Sequence, residues 1–171
     1  MASLAVWTIG HSTHPVDTLI ELLRGQWIEV LADVRSAPYS RHNPQFRKET
    51  LRASVEQAGL RYVWLGAELG GRPPEPEFYD VNGHARYDLV AETERFQAGL
   101  ERLLTGAAAY RVAIMCSEED PARCHRRLLV TRALVARGVE VRHIRGDGTV
   151  VTEPELSDGE AVDSGQTALF D

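Results

Sequence analysis

Cysteine, lysine and long apolar runs are all scarce in this sequence. Two cysteines, Cys116 and Cys124, in 171 residues are too few for a disulfide scaffold, so we expect thiols, metal ligands or core residues. No apolar run approaches the length of a membrane span, and residues 1–6 lack a charged region ahead of an apolar one. These absences predict a cytoplasmic protein that does not insert into a membrane.

Charge is distributed unevenly along the chain. The only lysine is Lys48, and the formal net charge is −6, which argues against non-specific coating of DNA. The segment from residue 153 onward has no basic residue and contributes the acids Glu153, Glu155, Asp158, Glu160, Asp163 and Asp171. Without that segment the remainder is close to neutral, so residues 153–171 are predicted to be a flexible acidic tail.

Apolar runs of strand length alternate with segments of helical period over residues 1–152. The pattern predicts a single α/β domain with a mainly parallel sheet of about five strands and crossover helices. We predict strands at residues 5–9, 27–34, 61–65, 110–115 and 139–144, and helices at 15–23, 46–58, 89–104 and 121–137. The irregular stretch 66–86 is long for a compact domain and is expected to be either functional or disordered. Trp7, Trp27 and Trp64 are predicted core residues.

Polar side chains follow the predicted strands at the points where they end. In parallel α/β sheets, ligands bind beyond the carboxyl ends of the strands. We therefore predict a polar site there, in which six side chains meet in one pocket: His11, Asp33, Arg35, Cys116, Glu118 and Arg126.

Four short motifs resemble a known family in their order and spacing. They are Gly10-His11-Ser12, Asp33-Val34-Arg35 followed by Pro38 and Ser40, Leu69-Gly70-Gly71, and Cys116-x-Glu118 followed by Cys124-His125-Arg126. They are similar to those of the bacterial domain-of-unknown-function family numbered 488, over residues of about 5–150. The resemblance implies an α/β fold and a shared polar site, and it carries over no reaction.

The segment 116–127 is predicted to be a strand end, a short turn and the start of a helix. Asp120 suits the N-cap and Pro121 the first helical position. Cys124 and His125 would then lie in the first turns of the helix, where free backbone N–H groups favour an anion. Phosphate is the expected anion, and Arg123, Arg126 and Arg127 add positive charge nearby.

Three chemistries remain open at this site. In the first, Asp33 and Glu118 act as base and electrostatic stabiliser, with His11 as proton carrier, in the cleavage of a nucleobase from its sugar. In the second, Cys116 or Cys124 is a nucleophile. In the third, Cys116, Cys124 and His125 bind zinc, with His11 as an optional fourth ligand, although adjacent residues of a helix diverge by roughly 100° and rarely bind one ion.

Residues that suit nucleic-acid binding surround the predicted site. Residues 39–48 interleave aromatic and basic side chains, a pairing that stacks bases and holds phosphates, and the loop 66–86 adds further ones. The predicted phosphate- or substrate-binding residues are Ser12, Arg35, Ser40, Arg41, Arg72, Arg123, His125 and Arg126.

The C-terminal peptide resembles the motif by which bacterial replication and repair proteins dock on the sliding clamp. In that motif a glutamine hydrogen-bonds at the rim of a pocket while adjacent leucine and phenylalanine fill an apolar cleft, which here implies roles for Gln166, Leu169 and Phe170. The commonest form has leucine after the glutamine, where this chain has Thr167. The alternatives are that Leu169 and Phe170 pack on their own domain or that the match is coincidental.

Together these patterns predict a DNA- or nucleotide-processing enzyme of the repair or base-processing type, with N-glycosidase as the specific candidate. Its tail would recruit it to the sliding clamp. Two alternatives remain: a thiol-dependent enzyme that acts on a small anionic metabolite, and a non-catalytic module that binds nucleic acid. No cofactor is expected apart from the zinc considered above.

Overall fold

A computed structural model describes residues 3–154, apart from the side chain of Arg123. It contains one six-stranded sheet, in the order β3-β2-β4-β1-β5-β6. The strands are β1 (Ala5–Gly10), β2 (Val30–Asp33), β3 (Arg61–Trp64), β4 (Val112–Cys116), β5 (Glu140–Ile144) and β6 (Val150–Thr152). β1 to β5 are parallel and β6 pairs antiparallel with β5. The predicted α/β class is confirmed, and the sequence pattern missed β6.

Six α-helices connect or flank the strands within the described residues. They are α1 (Val16–Gly25), α2 (Lys48–Gln57), α3 (Gly66–Leu69), α4 (Tyr87–Ala91), α5 (Glu94–Ala109) and α6 (Arg132–Ala136). Parallel neighbours require crossover connections, and these helices supply them. The stretch predicted as an irregular loop, 66–86, contains α3 and a 3₁₀ turn at Pro76–Phe78.

The sheet separates two apolar cores, one on each face. Successive strand residues point to opposite faces: Val6 and Ile114 belong to one core, and Trp7 and Met115 to the other. All four side chains are at most 3% exposed. Burial on both faces explains why these strands read as continuous apolar runs in the sequence.

The three tryptophans have three different environments. Trp7 is buried as predicted, and Trp64 is partly buried. The prediction for Trp27 was wrong, because its side chain is 78% exposed. Its φ of 58° is the left-handed conformation in which the chain turns out of α1. The second strand therefore starts three residues later than predicted, at Val30.

Two predicted helices are interrupted in the structure. The helix predicted at 89–104 divides into α4 and α5, because the Thr93 hydroxyl accepts a hydrogen bond from the amide of Phe96 and begins a new helix. The helix predicted at 121–137 becomes a 3₁₀ turn at Pro121–Arg123, a π-helical turn at Arg126–Thr131 and then α6. Asp120 caps the first turn as expected, through a 3.0 Å bond from the amide of Ala122.

Two further points concern membrane insertion and the predicted tail. Among residues 3–154, no helix has both the length and the apolar character required to cross a membrane. The predicted tail lies almost wholly outside the described residues, so Gln166, Leu169 and Phe170 have no structural description.

Candidate functional site

A cavity of about 390 Å³ lies at the carboxyl-terminal edge of the sheet. β2 and β4 are neighbours, and the residues that follow them form much of its wall. The lining residues are Arg35, Ser36, Ala37, Tyr39, Gly71, Arg72, Tyr87, Cys116, Ser117, Glu118, Cys124 and His125. The site is therefore at the edge of the sheet where the sequence predicted it.

Two glycines allow the backbone to pack closely around this cavity. A Cβ atom at Gly10 would lie 1.6 Å from the carbonyl oxygen of Glu118, so only glycine lets the segment after β4 cross the end of β1. A Cβ atom at Gly71 would lie 2.6 Å from Cβ of His125. The Gly70-Gly71 sequence thus permits the approach that sets the position of His125.

The sulfur atoms of Cys116 and Cys124 lie against each other at the cavity wall, so the two residues form a cysteine pair. Both are buried members of one core, at 1% and 4% exposure, so the core alternative among the three expectations is confirmed, whereas their pairing was not expected. β4 ends at Cys116, and the turn capped by Asp120 brings the chain back within reach. Cys124 is extended, with φ −114° and ψ 146°, so it does not lie in the first turns of a helix. The argument from a helix dipole therefore does not apply to it.

His125 is oriented by a backbone carbonyl. Its Nε2 lies 2.9 Å from the carbonyl oxygen of Val34, which can only accept, so Nε2 carries the proton. Nδ1 then has a free lone pair, and it lies 3.9 Å from Sγ of Cys124. Burial lowers the pKa of His125 below its ordinary value of 6.5, which keeps the ring neutral at pH 7. A neutral imidazole beside sulfur can accept a thiol proton.

Arg35 is held in the cavity wall by a buried network. Asp33 accepts from Nε, Nη2 and the backbone amide of Arg35 at 2.9, 2.8 and 3.1 Å, and from the Tyr62 hydroxyl at 2.6 Å. Burial and the neighbouring Asp33 carboxylate raise the pKa of Tyr62, so its hydroxyl remains a donor. Asp33 is fully buried and does not line the cavity. Its carboxylate is therefore engaged in positioning Arg35.

His11 supports Arg35 from another side. Its Nδ1 donates to the carbonyl oxygen of Ser12 at 2.8 Å, which leaves Nε2 to accept from Nη1 of Arg35 at 3.4 Å. The ring stacks on Phe46 with centroids 4.3 Å apart. Burial lowers the pKa of His11 to about 4, so the ring is neutral beside the guanidinium. His11 also lies outside the cavity lining.

Ionic and aromatic side chains complete the wall. Arg72 is exposed, and its guanidinium has no ion-pair partner among the described residues. Glu118 is also exposed, and it is the only acidic residue among the described residues that line the cavity. Tyr39 and Tyr87 are the lining aromatics. The cavity therefore offers cations, one carboxylate and two phenol rings around the cysteine pair.

Other predicted binding residues lie elsewhere. Arg126 is fully buried, with Nη2 donating to the carbonyl oxygen of Glu119 at 2.7 Å and with Nε and Nη1 unpartnered among the described residues. Burial lowers its pKa to about 10. Ser12, Ser40 and Arg41 do not line the cavity. The side chain of Arg123 is outside the described structure.

The sequence reasoning missed several residues that shape the site. Tyr62 contacts Asp33 and Phe46 contacts His11, and no local pattern marks a partner that lies 29 or 35 residues away in the sequence. Ser36 accepts from the amide of Arg72 at 2.9 Å and so connects the segment after β2 to the Gly71 loop. Its place directly after Arg35 was the available signal. Among residues 3–154, no group of three His, Cys, Asp or Glu side chains is arranged to hold a metal ion.

The fold and the cavity define an α/β protein with a polar cavity at the carboxyl ends of parallel strands. Comparison with protein families identifies it further. The family described as domain of unknown function DUF488 matches residues 15–133, more than half of the chain, so the protein belongs to that family. Searches of curated proteins and of solved structures each found no match.

Proposed function

We propose that this protein is a thiol-dependent enzyme that acts on an anionic substrate. One observation carries the proposal: the cysteine pair, the free Nδ1 of His125 and the guanidinium groups of Arg35 and Arg72 belong to a single cavity. Nearby positive charge stabilises a thiolate and also attracts an anion. Arg35 is partly neutralised by Asp33, so Arg72 supplies most of the uncompensated positive charge.

The cysteine pair can perform a two-electron reduction. In the dithiol state, His125 accepts the proton of the Cys124 thiol, and the thiolate attacks an electrophilic sulfur of a substrate disulfide. The bond between the substrate sulfurs breaks, and the departing thiolate takes the proton from His125. The Cys116 thiol then attacks the Cys124 sulfur and forms a Cys116–Cys124 disulfide, and its proton goes to the second substrate thiolate, which leaves as a thiol. Two molecules of a low-molecular-weight thiol supply the two electrons and two protons that restore the dithiol, and they leave as a disulfide.

Base processing of a nucleotide or of DNA is the second candidate. It is favoured by Glu118, whose exposed carboxylate lies in the cavity and could activate water or stabilise positive charge on a sugar. The two-carboxylate version of this hypothesis loses support, because Asp33 is outside the cavity and already accepts from Arg35 and Tyr62. A binding module without catalysis would use the same cavity and would need neither cysteine.

Recruitment to the sliding clamp remains a proposal that rests on the sequence motif alone. Residues 166–170 lie outside the described structure. Support comes from the position of the motif, which follows a stretch of the sequence that is acidic and contains few large apolar residues. The predicted tail extends from residue 153, where the final described turn of the domain begins.

Alkylation with iodoacetamide tests the thiol proposal without a known substrate. The full chain is reduced, freed of reductant and alkylated with or without inorganic phosphate, and each labelled cysteine is identified by mass spectrometry. We expect native-state labelling of Cys124 that phosphate slows. Arg72→Gln should abolish the protection, whereas Arg41→Gln, an exposed arginine outside the cavity, should retain it.

Two results would overturn the proposal. The first is alkylation of both cysteines only after unfolding, which would make them structural. The second is native labelling that phosphate affects equally in both arginine variants, which would remove the anion site. Loss of nucleotide or DNA turnover in Glu118→Gln, with turnover retained in Cys116→Ser and Cys124→Ser, would establish the carboxylate candidate instead.

A further inference from the structure

The cavity has two chemically distinct parts. One contains the cysteine pair, His125 and the arginines, and the other contains the phenol rings of Tyr39 and Tyr87. A site for a simple anion needs only the first part. Its volume of about 390 Å³ lies at the small end of the roughly 300–1,000 Å³ typical of pockets for small organic ligands. The space and the aromatic wall therefore point to a ligand that carries more than its anionic group.

Tyr39 is an exposed aromatic ring that the protein holds in place. It is 62% exposed, although it borders a cavity. The guanidinium of Arg47 lies over the ring at 4.7 Å from the centroid, and Nε of Arg47 is fixed by the carbonyl oxygen of Ser40 at 3.1 Å. This support limits the rotation of an otherwise free side chain. A pre-positioned exposed ring is suited to stacking on a flat ligand.

Tyr87 contributes the second ring and remains uncharged. It is the first residue of α4 and is partly buried against one of the cores. Burial raises its pKa, more than the nearby Arg72 lowers it. The neutral phenol therefore does not repel an anionic ligand at physiological pH. Arg72 is close enough for its charge to lower the pKa of Tyr87, so the cationic and aromatic parts of the cavity adjoin each other.

The carboxylate of Glu118 opposes the binding of a simple anion, but it is suited to a ligand that carries a sugar. An exposed carboxylate in a cavity with two arginines would repel a phosphate that approached it closely. A carboxylate is, however, a strong acceptor for sugar hydroxyl groups. A ligand with a phosphate, a hydroxylated sugar and a flat ring would satisfy Arg72, Glu118 and the two tyrosines together.

We propose that the cavity binds a nucleotide unit, with its base on Tyr39 and Tyr87, its sugar at Glu118 and its phosphate at Arg72. The inference rests on the proposed function, because the phosphate occupies the same anion site. It adds the chemical class of the group that carries the anion, and it places the base away from the cysteine pair, so the electrophilic sulfur belongs to another part of the substrate. Such a unit is present both in free nucleotides and in single-stranded nucleic acid.

Isothermal titration of the full oxidised chain tests the inference with four probes: adenosine monophosphate, ribose 5-phosphate, inorganic phosphate and a single-stranded hexanucleotide. We expect adenosine monophosphate to bind about tenfold more tightly than ribose 5-phosphate, because stacking of the base adds to the affinity. Tyr39→Leu should remove this difference and leave ribose 5-phosphate unchanged. Tyr39 is exposed, so this variant should fold. Tyr110→Phe, outside the cavity, is the matched control.

The outcomes separate the two proposals. Equal affinity for adenosine monophosphate and ribose 5-phosphate in the native protein overturns the nucleotide inference, while binding of both leaves the anion site standing. Absence of binding by all four probes overturns the anion site and the proposed function with it. Tighter binding of the hexanucleotide than of the mononucleotide supports the inference and assigns the unit to nucleic acid, whereas weaker binding supports it and assigns the unit to free nucleotide.

Discussion

Asp33 and Arg35 form a buried ion pair with two parallel contacts, 2.9 Å from Nε to Oδ1 and 2.8 Å from Nη2 to Oδ2. The two residues are separated only by Val34, whose carbonyl oxygen holds His125. The end of β2 thus fixes a cation and a base of the cavity at the same time. A change at Asp33 should therefore disturb both without removing any group from the cavity itself.

We predict that Asp33→Asn destabilises the protein by about 3–5 kcal/mol, because it leaves a buried guanidinium without its countercharge. Urea unfolding measures this change. Glu56→Gln is the control, since it breaks the exposed Arg52–Glu56 pair and should change stability little. Equal, small effects of both substitutions would show that the buried pair does not stabilise the fold.

Gly71→Ala should displace His125. The added methyl group would lie 2.6 Å from Cβ of His125, and such overpacking typically costs about 1–3 kcal/mol. We expect slower alkylation of Cys124 as the imidazole moves away from the sulfur. Gly25→Ala has nothing within 4 Å and is the matched control. Unchanged alkylation of a folded Gly71→Ala protein would mean that His125 does not assist the thiol.

The two cysteines should react as a pair with an aromatic disulfide reagent. The reduced native protein is expected to release two equivalents of nitrothiobenzoate from Ellman's reagent and retain none, because the second cysteine displaces the first adduct. Cys116→Ser should release one equivalent and retain the other covalently. Mass spectrometry distinguishes these products. Retention of two adducts by the native protein would exclude a resolving step.

Acidification should destabilise the protein through a second buried network, which involves β1, β5 and the turn after β6. His143 Nδ1 lies 2.7 Å from the Thr8 hydroxyl and Nε2 lies 2.6 Å from Glu153, which also accepts from Arg127. Burial lowers the pKa of His143 below 6.5, although Glu153 opposes the shift. Burial raises the pKa of Glu153, but His143 and Arg127 outweigh it and lower the pKa below 4.5.

Both depressed pKa values have the same sign of effect on stability. The unfolded chain takes up the proton first, so stability is lost as pH falls below 6.5 for His143 and below 4.5 for Glu153. We expect Tm to fall by several degrees between pH 7 and 5, since each kcal/mol corresponds to about 2–4 °C. His143→Gln should reduce that slope, and exposed His42→Gln should not. Identical slopes would contradict the prediction.

A peptide of residues 160–171 should bind the purified bacterial sliding clamp with an affinity near micromolar. Burial of Leu169 and Phe170 contributes about 1.5–3 kcal/mol each before ordering costs. The doubly substituted peptide, Leu169→Ala with Phe170→Ala, should not bind. Fluorescence anisotropy measures both. No saturable binding of the native peptide up to roughly millimolar would end the proposal.

The sequence predicted the architecture well because buried parallel strands are apolar on both faces. Residues around Ile114 and Met115 lie in opposite cores, and this produces the unbroken apolar run that marks a strand. β6 has only three residues, all partly exposed, so no such run was present. Trp27 was misplaced because its aromatic character suggested a strand, whereas the chain turns there in a left-handed conformation.

The sequence predicted where the polar residues collect, but it did not predict which contacts each side chain makes. Strand ends share one edge of a parallel sheet, which correctly located Arg35, Cys116 and Glu118 at the cavity. The position of Asp33 at a strand end could not show that its carboxylate accepts a hydrogen bond from Tyr62 and lies outside the cavity. Nor could it show that Cys124 leaves the helix, since a break between 3₁₀ and π-helical turns depends on packing.

The one lysine of the chain has a defined neighbour. Nζ of Lys48 lies over the ring of Trp64 at 4.4 Å from the centroid, and the indole N–H of Trp64 donates to the carbonyl oxygen of Arg35 at 2.9 Å. Because the sequence has a single lysine, Lys48 carries its only side-chain amine for acylation. A fluorophore attached there would be separated from the Arg35 backbone by a single indole ring. The composition and the fold together provide a selective attachment point for an optical reporter of ligand binding.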